Sequence, residues 1–171
     1  MNIGGVSILS KERLLDELKK ISKLDTLEKL SKDKHSLDLI LLIFPELKNV
    51  KIFSYLDLNK KKFLKKVDFI FLLSLLIIDG SDNVDYFLYK YNISKKDQKR
   101  IKIINNFFKE KINLKTFTTK NINKFFYYNG KEAVIDILTF KIIKSKKFDQ
   151  IISDLIDHYK NKSMPIMPIG A

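Results

Sequence analysis

Few side chains in this sequence are of types that carry covalent chemistry. The two histidines, His35 and His158, stand alone in lysine-rich or polar surroundings, and the chain offers no plausible nucleophile and base pair. Cysteine is absent, which excludes disulfides, thiolate catalysis and cysteine-ligated metals. Asp79, Asp82 and Asp85 have the outline of a calcium loop but lack the glycine at position 6 and the glutamate at position 12, so they read as helix caps. There is no glycine-rich phosphate loop and no D-x-D pair after a Gly-Ser turn. Catalysis by these residues alone is not expected.

What remains is charge. The 171 residues include 33 Lys and Arg against 20 Asp and Glu, a net +13, which makes a polyanion the leading class of partner. Only Arg13 and Arg100 are arginines, and a chain crowded with Lys, Ile, Asn and Phe is also what an A/T-rich coding sequence produces. The charge therefore sets non-specific attraction without defining a mechanism. Candidate phosphate contacts are Lys60, Lys61 and Lys62 in the first turn of one helix, Lys95, Lys96, Lys99 and Arg100, with Lys102, on the outer face of another, and Lys120 and Lys124 on a third. The same lysines could equally be solvated faces, and those at a helix N-terminus oppose its dipole.

The elements that would position these groups are helices. Ser10 reads as the N-cap of a helix to about Lys23, with Leu14, Leu15, Leu18 and Ile21 on one apolar face. A short helix follows over Asp25 to Lys32, then one from Ser36 that must stop at Pro45. The longest spans about Lys60 to Asp79, with Gly80 as its stop, and Ser81 or Asp82 caps the next, Asn83 to Tyr91. Ser94 and Asp97 form a capping-box-like start to a helix running to about Glu110, with Ile101, Ile104, Phe107 and Phe108 inward. Thr118 or Thr119 opens a helix to Asn129 that Gly130 ends. Glu132 to Ser145 buries Val134, Ile135, Leu138, Ile142 and Ile143, and a last helix covers about Phe148 to Lys160. The tail from Ser163 holds two of three prolines and reads as irregular. No hairpin pattern appears, so the expectation is an all-α fold of about eight helices with short connections.

The longest apolar run, Phe69 to Ile78, is too short to span a membrane, and the first seven residues show no signal-peptide pattern, so a cytoplasmic protein is expected. Oligomeric state is not legible, because a dimer face and a core face share one periodicity.

Four segments carry a family resemblance. Leu9-Ser10-Lys11-Glu12-Arg13-Leu14-Leu15-Asp16-Glu17-Leu18 resembles the S-x-E-R-I-x-x-E-L neck helix of bacterial CCA-adding tRNA nucleotidyltransferases and their poly(A) polymerase relatives. Phe44-Pro45-Glu46-Leu47 is similar to that family's L-P-E-L helix end, and Ile93-Ser94-Lys95-Lys96-Asp97-Gln98-Lys99-Arg100-Ile101 to its L-S-x-x-E-x-x-R-I segment. Tyr127-Tyr128-Asn129-Gly130-Lys131-Glu132-Ala133-Val134-Ile135-Asp136-Ile137-Leu138 is similar to Y-x-x-G-x-E-A-V-x-D-L-L. They occur in family order over most of the chain.

The resemblance implies a multihelical RNA-binding body, with residues 1–91 as neck and first part and 92–171 as the remainder and a truncated tail. It implies a tRNA partner whose 3′ end is positioned for CMP and AMP addition. It gives Glu12, Arg13 and Glu17 the role of bracing the nucleotide pocket. An Arg13–Glu17 helix-surface pair is the plainer alternative for the same residues. The catalytic head and the E-D-x-x-R base-reading motif have no counterpart here, so Mg2+ and CTP or ATP would belong to a separate head, and the chain alone is expected to be inactive. The competing expectation is a basic all-α protein-interaction module with no RNA role.

Overall fold

The computed structural model describes residues 3–109 and 119–162, with side chains described over 11–109 and 120–162. Thr118, the expected helix end at Glu110 and the tail 163–171 lie outside the described residues. Among the described residues there are nine α-helices, one 3-10 helix and no strand, an all-α fold. The chain divides into two compact units, Met1–Asn105 and Asn106–Ala171.

In the first unit the helices are α1 (Ile3–Ile21), α2 (Leu24–Lys32), α3 (Lys34–Ile43), a 3-10 helix (Val50–Ser54), α4 (Leu58–Leu64), α5 (Phe69–Ile77) and α6 (Asn83–Lys90); α7 begins at Lys95 and is a single helix, Lys95–Lys109. The unit is centred on α5, where every residue from Phe71 to Ile77 is buried. A helix apolar all round can exist only inside a core, which is why this stretch lacks a polar face. Phe87 and Tyr91, with ring centroids 4.7 Å apart, and Phe44, 6.2 Å from Tyr91, extend that core.

A buried helix must have its end carbonyls paired inside the protein. Two asparagines do this for α5. Asn49 Nδ2 donates to the carbonyls of Leu75 (3.0 Å) and Ile78 (2.5 Å), and its backbone N–H to that of Leu76 (3.1 Å). Asn83 Nδ2 donates to the carbonyls of Ile77 (2.8 Å) and Glu46 (2.7 Å).

In the second unit α8 (Thr119–Lys144) is two helical arms joined at Gly130, whose φ of 88° and ψ of 173° no helix contains, and α9 (Gln150–Asn161) packs on it. Phe126 and Tyr159 meet at 5.3 Å, and the Tyr159 hydroxyl donates to Asn123 Oδ1 (2.5 Å). Lys162 Nζ also donates to that oxygen (3.1 Å) and lies over both rings. Lys131 donates to the carbonyl of Lys160 at 2.8 Å, the use of a cation that a helix C-terminus favours.

Several element boundaries differ from the sequence expectation. Ser10 lies inside α1, which starts at Ile3; Gly4 and Gly5 lower helix propensity without ending a helix, and no proline stands there. The long helix over Lys60 to Asp79 is two helices, because Asp57 and Asp68 each cap a separate start. Asp57 Oδ1 accepts from Lys60 N at 2.8 Å, and Asp68 Oδ1 from Phe71 N at 3.1 Å. Asp33, rather than Ser36, caps α3, taking both the amide and the hydroxyl of Ser36. Asp149 caps α9 through the amides of Ile151 and Ile152, so that helix begins two residues after Phe148.

Asp79 also has a local role, its Oδ1 accepting from the Ser81 amide and hydroxyl, while Ser81 Oγ accepts from the Asn83 amide. Ser94 Oγ accepts from Asp97 N at 3.2 Å, the capping interaction expected there. The 3-10 helix was not signalled by any periodicity.

Candidate functional site

The expected phosphate contacts fall into two groups. Lys60, Lys61 and Arg100 are turned inward to the protein. Lys60 is only 6% exposed. Lys61 Nζ lies 2.8 Å from Glu28 Oε1, an oxygen it shares with Lys32 at 2.9 Å. These two cations hold the Glu28 carboxyl at about 2, far below its ordinary 4.5, chiefly through the Lys61 hydrogen bond and then that of Lys32. Arg100 reaches Asp68 Oδ2 at 2.6 Å. Burial raises the Asp68 pKa, but the Arg100 hydrogen bond, the Phe71 amide and the Arg100 charge together hold it below the usual value. A cation held by a protein carboxylate has lost much of what it could offer a phosphate.

Lys62, Lys95, Lys96, Lys99, Lys120 and Lys124 are exposed. On α7, Lys95, Lys99 and the equally exposed Lys102 fall at i, i+4 and i+7, within about 60° of arc and about 10 Å of helix length. They form a single cationic line on the face opposite Ile101 and Ile104, both fully buried. The amphipathic period of α7 dictates this, since the apolar residues take the inner face and leave the lysines outside. Both units are basic, with 21 Lys and Arg against 14 Asp and Glu in Met1–Asn105 and 12 against 6 in Asn106–Ala171.

The neck residues Glu12, Arg13 and Glu17 are exposed on α1. Glu17 pairs with Lys20 at 3.3 Å, a surface pair of little energetic weight. A cleft of about 420 Å³ lies beside α1, lined by its Leu15, Asp16 and Lys19, by Asp68, Phe69 and Ile70 at the start of α5, and by Asn92, Ile93, Ser94 and Asp97 ahead of and within the first turn of α7. Neither Arg13 nor Glu17 lines the cleft. Its charged lining is Asp16, Asp97, Lys19 and the Arg100-paired Asp68, which leaves no excess of cations to receive a phosphate.

Among the described residues no three His, Asp or Glu side chains come together as a group that could hold a metal ion, and no helix is long and apolar enough to cross a membrane. His35 and His158 are both exposed, and His158 stands edge-on to Tyr159 at 5.1 Å. Sequence reasoning passed over the exposed Tyr128, which follows Lys120 and Lys124 at the same i+4 step. The amphipathic period of that helix arm was the available signal. Comparison of the chain with family models, curated proteins and solved structures gives no match.

Proposed function

We propose that this chain is the RNA-binding helical portion of a CCA-adding-type tRNA nucleotidyltransferase, acting in the cytoplasm and positioning the tRNA 3′ end for CMP and AMP addition by a head carried on another segment or polypeptide. The motif order noted in the sequence motivates the family, and the observation that carries RNA binding is the line of Lys95, Lys99 and Lys102 on α7. Charges on a rigid helix face meet a polyanion without losing much conformational freedom, and each phosphate they neutralise releases counterions. The buried Lys60 and the carboxylate-paired Lys61 and Arg100 then support the fold, and the exposed lysines do the binding.

The test is binding of tRNA and of duplex DNA of equal length across a salt series, with the parent and a Lys95→Gln, Lys99→Gln, Lys102→Gln protein. The expected result is a preference for tRNA and a slope of log affinity against log salt that falls by about 2–3 in the triple variant. Equal affinity for the two nucleic acids would refute a tRNA role. Incorporation of labelled CTP into tRNA lacking its CCA end is expected only when a head is supplied.

The second reading, a protein-interaction module, is favoured by the outer side of α3, where Leu39, Leu42 and Ile43 are 51%, 80% and 41% exposed. Its signature is equal and weak binding of tRNA and duplex DNA, in the parent and in the lysine variant alike.

A further inference from the structure

Four tyrosines among the described residues are strongly exposed: Tyr55, Tyr86, Tyr89 and Tyr128. Their electrostatic settings differ. Tyr86 and Tyr89 share α6 with Asp85, and Asp82 stands just before that helix, while Tyr55 lies two residues before the capping Asp57. Tyr128 stands on the first arm of α8, where positions 119–129 contain two lysines, Lys120 and Lys124, and no acidic residue. Lys120 and Lys124 precede it at successive i+4 steps, so two exposed ammonium groups and one exposed ring follow one another along a single helix face at about 6 Å per step.

Tyr127 and Tyr128 meet edge-to-face, with centroids 5.1 Å apart and planes at 77°, while Tyr128 remains 68% exposed. Beneath the arm, Ile122 and Phe126 are 1% and 0% exposed, so the helix that carries the three groups is anchored in the core. Gly130, with its positive φ, ends the arm two residues after Tyr128. An exposed aromatic ring on an anchored helix, beside cations one turn apart, is the arrangement by which proteins hold unpaired nucleotides. The cations follow the phosphates, and the ring takes a base face whatever its identity.

We propose that Lys120, Lys124 and Tyr128 form a stacking site for an unpaired run of RNA. The site deepens the RNA-binding reading above and rests on it. Lys120 and Lys124 meet consecutive phosphates, and the base at the end of the run lies on the open face of Tyr128. The site selects single strands over duplexes, because a base inside a helix has no free face to offer.

The test uses the full chain and fluorescence anisotropy with two labelled probes of about 12 nucleotides, an oligoadenylate RNA and an abasic oligomer of equal length and charge. The parent should bind the oligoadenylate roughly 5- to 150-fold more tightly, the range of one stacked base. Tyr128→Ala should bring the two probes to the same affinity, Tyr128→Trp should keep them apart, and Lys124→Gln should weaken both alike. Far-UV circular dichroism of each variant checks that the helices are intact. Equal binding of the two probes by the parent, or a difference that survives Tyr128→Ala, overturns the site. If either occurs while the parent still prefers tRNA to duplex DNA, the stacking site alone fails; if that preference is also missing, the RNA-binding reading fails with it.

Discussion

The pairing of the α5 C-terminus yields a prediction whose size follows from geometry. Asn83 is 6% exposed, and its amide donates at 2.7 and 2.8 Å to two carbonyls, those of Glu46 and Ile77, that have left water. Asn83→Ala removes both donors at once. Each buried acceptor left unpaired costs about 1–3 kcal/mol, so with partial relaxation and water entry the loss should be about 2–4 kcal/mol. Asn83→Asp is the sharper perturbation. It is nearly isosteric but replaces the donating NH2 by an oxygen facing two carbonyl oxygens, so it should destabilise more than alanine does, although alanine removes more atoms. Asn49→Ala should lose less, because the Asn49 backbone amide still pairs with Leu76 O and the residue is partly exposed. The two sites cap one helix end and should couple. Urea unfolding followed by far-UV circular dichroism, at unchanged m, reads the losses, and amide exchange localises them to the Met1–Asn105 unit. An Asn83→Ala protein within about 0.5 kcal/mol of the parent, the scatter of ordinary surface changes, would refute the capping role, as would an aspartate variant that matches the parent.

Two further predictions concern the linkage of α2 to α4 and the kink in α8. The Glu28 carboxyl is held at about 2 in the folded chain by Lys61 and Lys32, against an ordinary 4.5. A depressed carboxyl contributes stability that is complete above its unfolded value and is lost as the pH falls from about 4.5 through about 2. Urea midpoints of the parent and of Glu28→Gln should therefore converge across that window, and a gap that stays constant there would contradict the assignment. Gly130 has φ +88° and ψ 173°, a region that side chains other than glycine avoid, yet an added Cβ would meet nothing within 4 Å. Gly130→Ala should therefore lose about 1–3 kcal/mol of purely conformational origin, and a neutral result in thermal unfolding would mean that the kink relaxes.

How much of this was legible in the sequence depends on the range of the interaction. The all-helical character follows from hydrophobic period, and the stops at Pro45 and Gly130 follow from backbone chemistry that a residue carries wherever it is placed. Caps such as Ser94 with Asp97 are equally local, since donor and acceptor are three residues apart. The break at Asp68 was also written in the chain, but the continuous apolar run after it outweighed the aspartate in a periodicity argument. The motif order that suggests the family is a property of the sequence alone.

Among the candidate cations, Lys60, Lys61 and Arg100 read the same as Lys62 and Lys99 in a sequence, because lysine spacing on a helix gives the outward direction of a side chain and not what will stand opposite it. The tertiary fold brings Lys61 to Glu28, 33 residues away, and Arg100 to Asp68, 32 residues away. The same holds for Asn49 and Asn83, polar residues that look like ordinary turn formers until the end of α5 is buried against them. The sequence determined which helices form, their inner faces and the excess of positive charge. Tertiary structure decided which of those charges are held inside the fold and which remain for a partner, because pairing requires groups distant in the chain to be brought within about 3 Å.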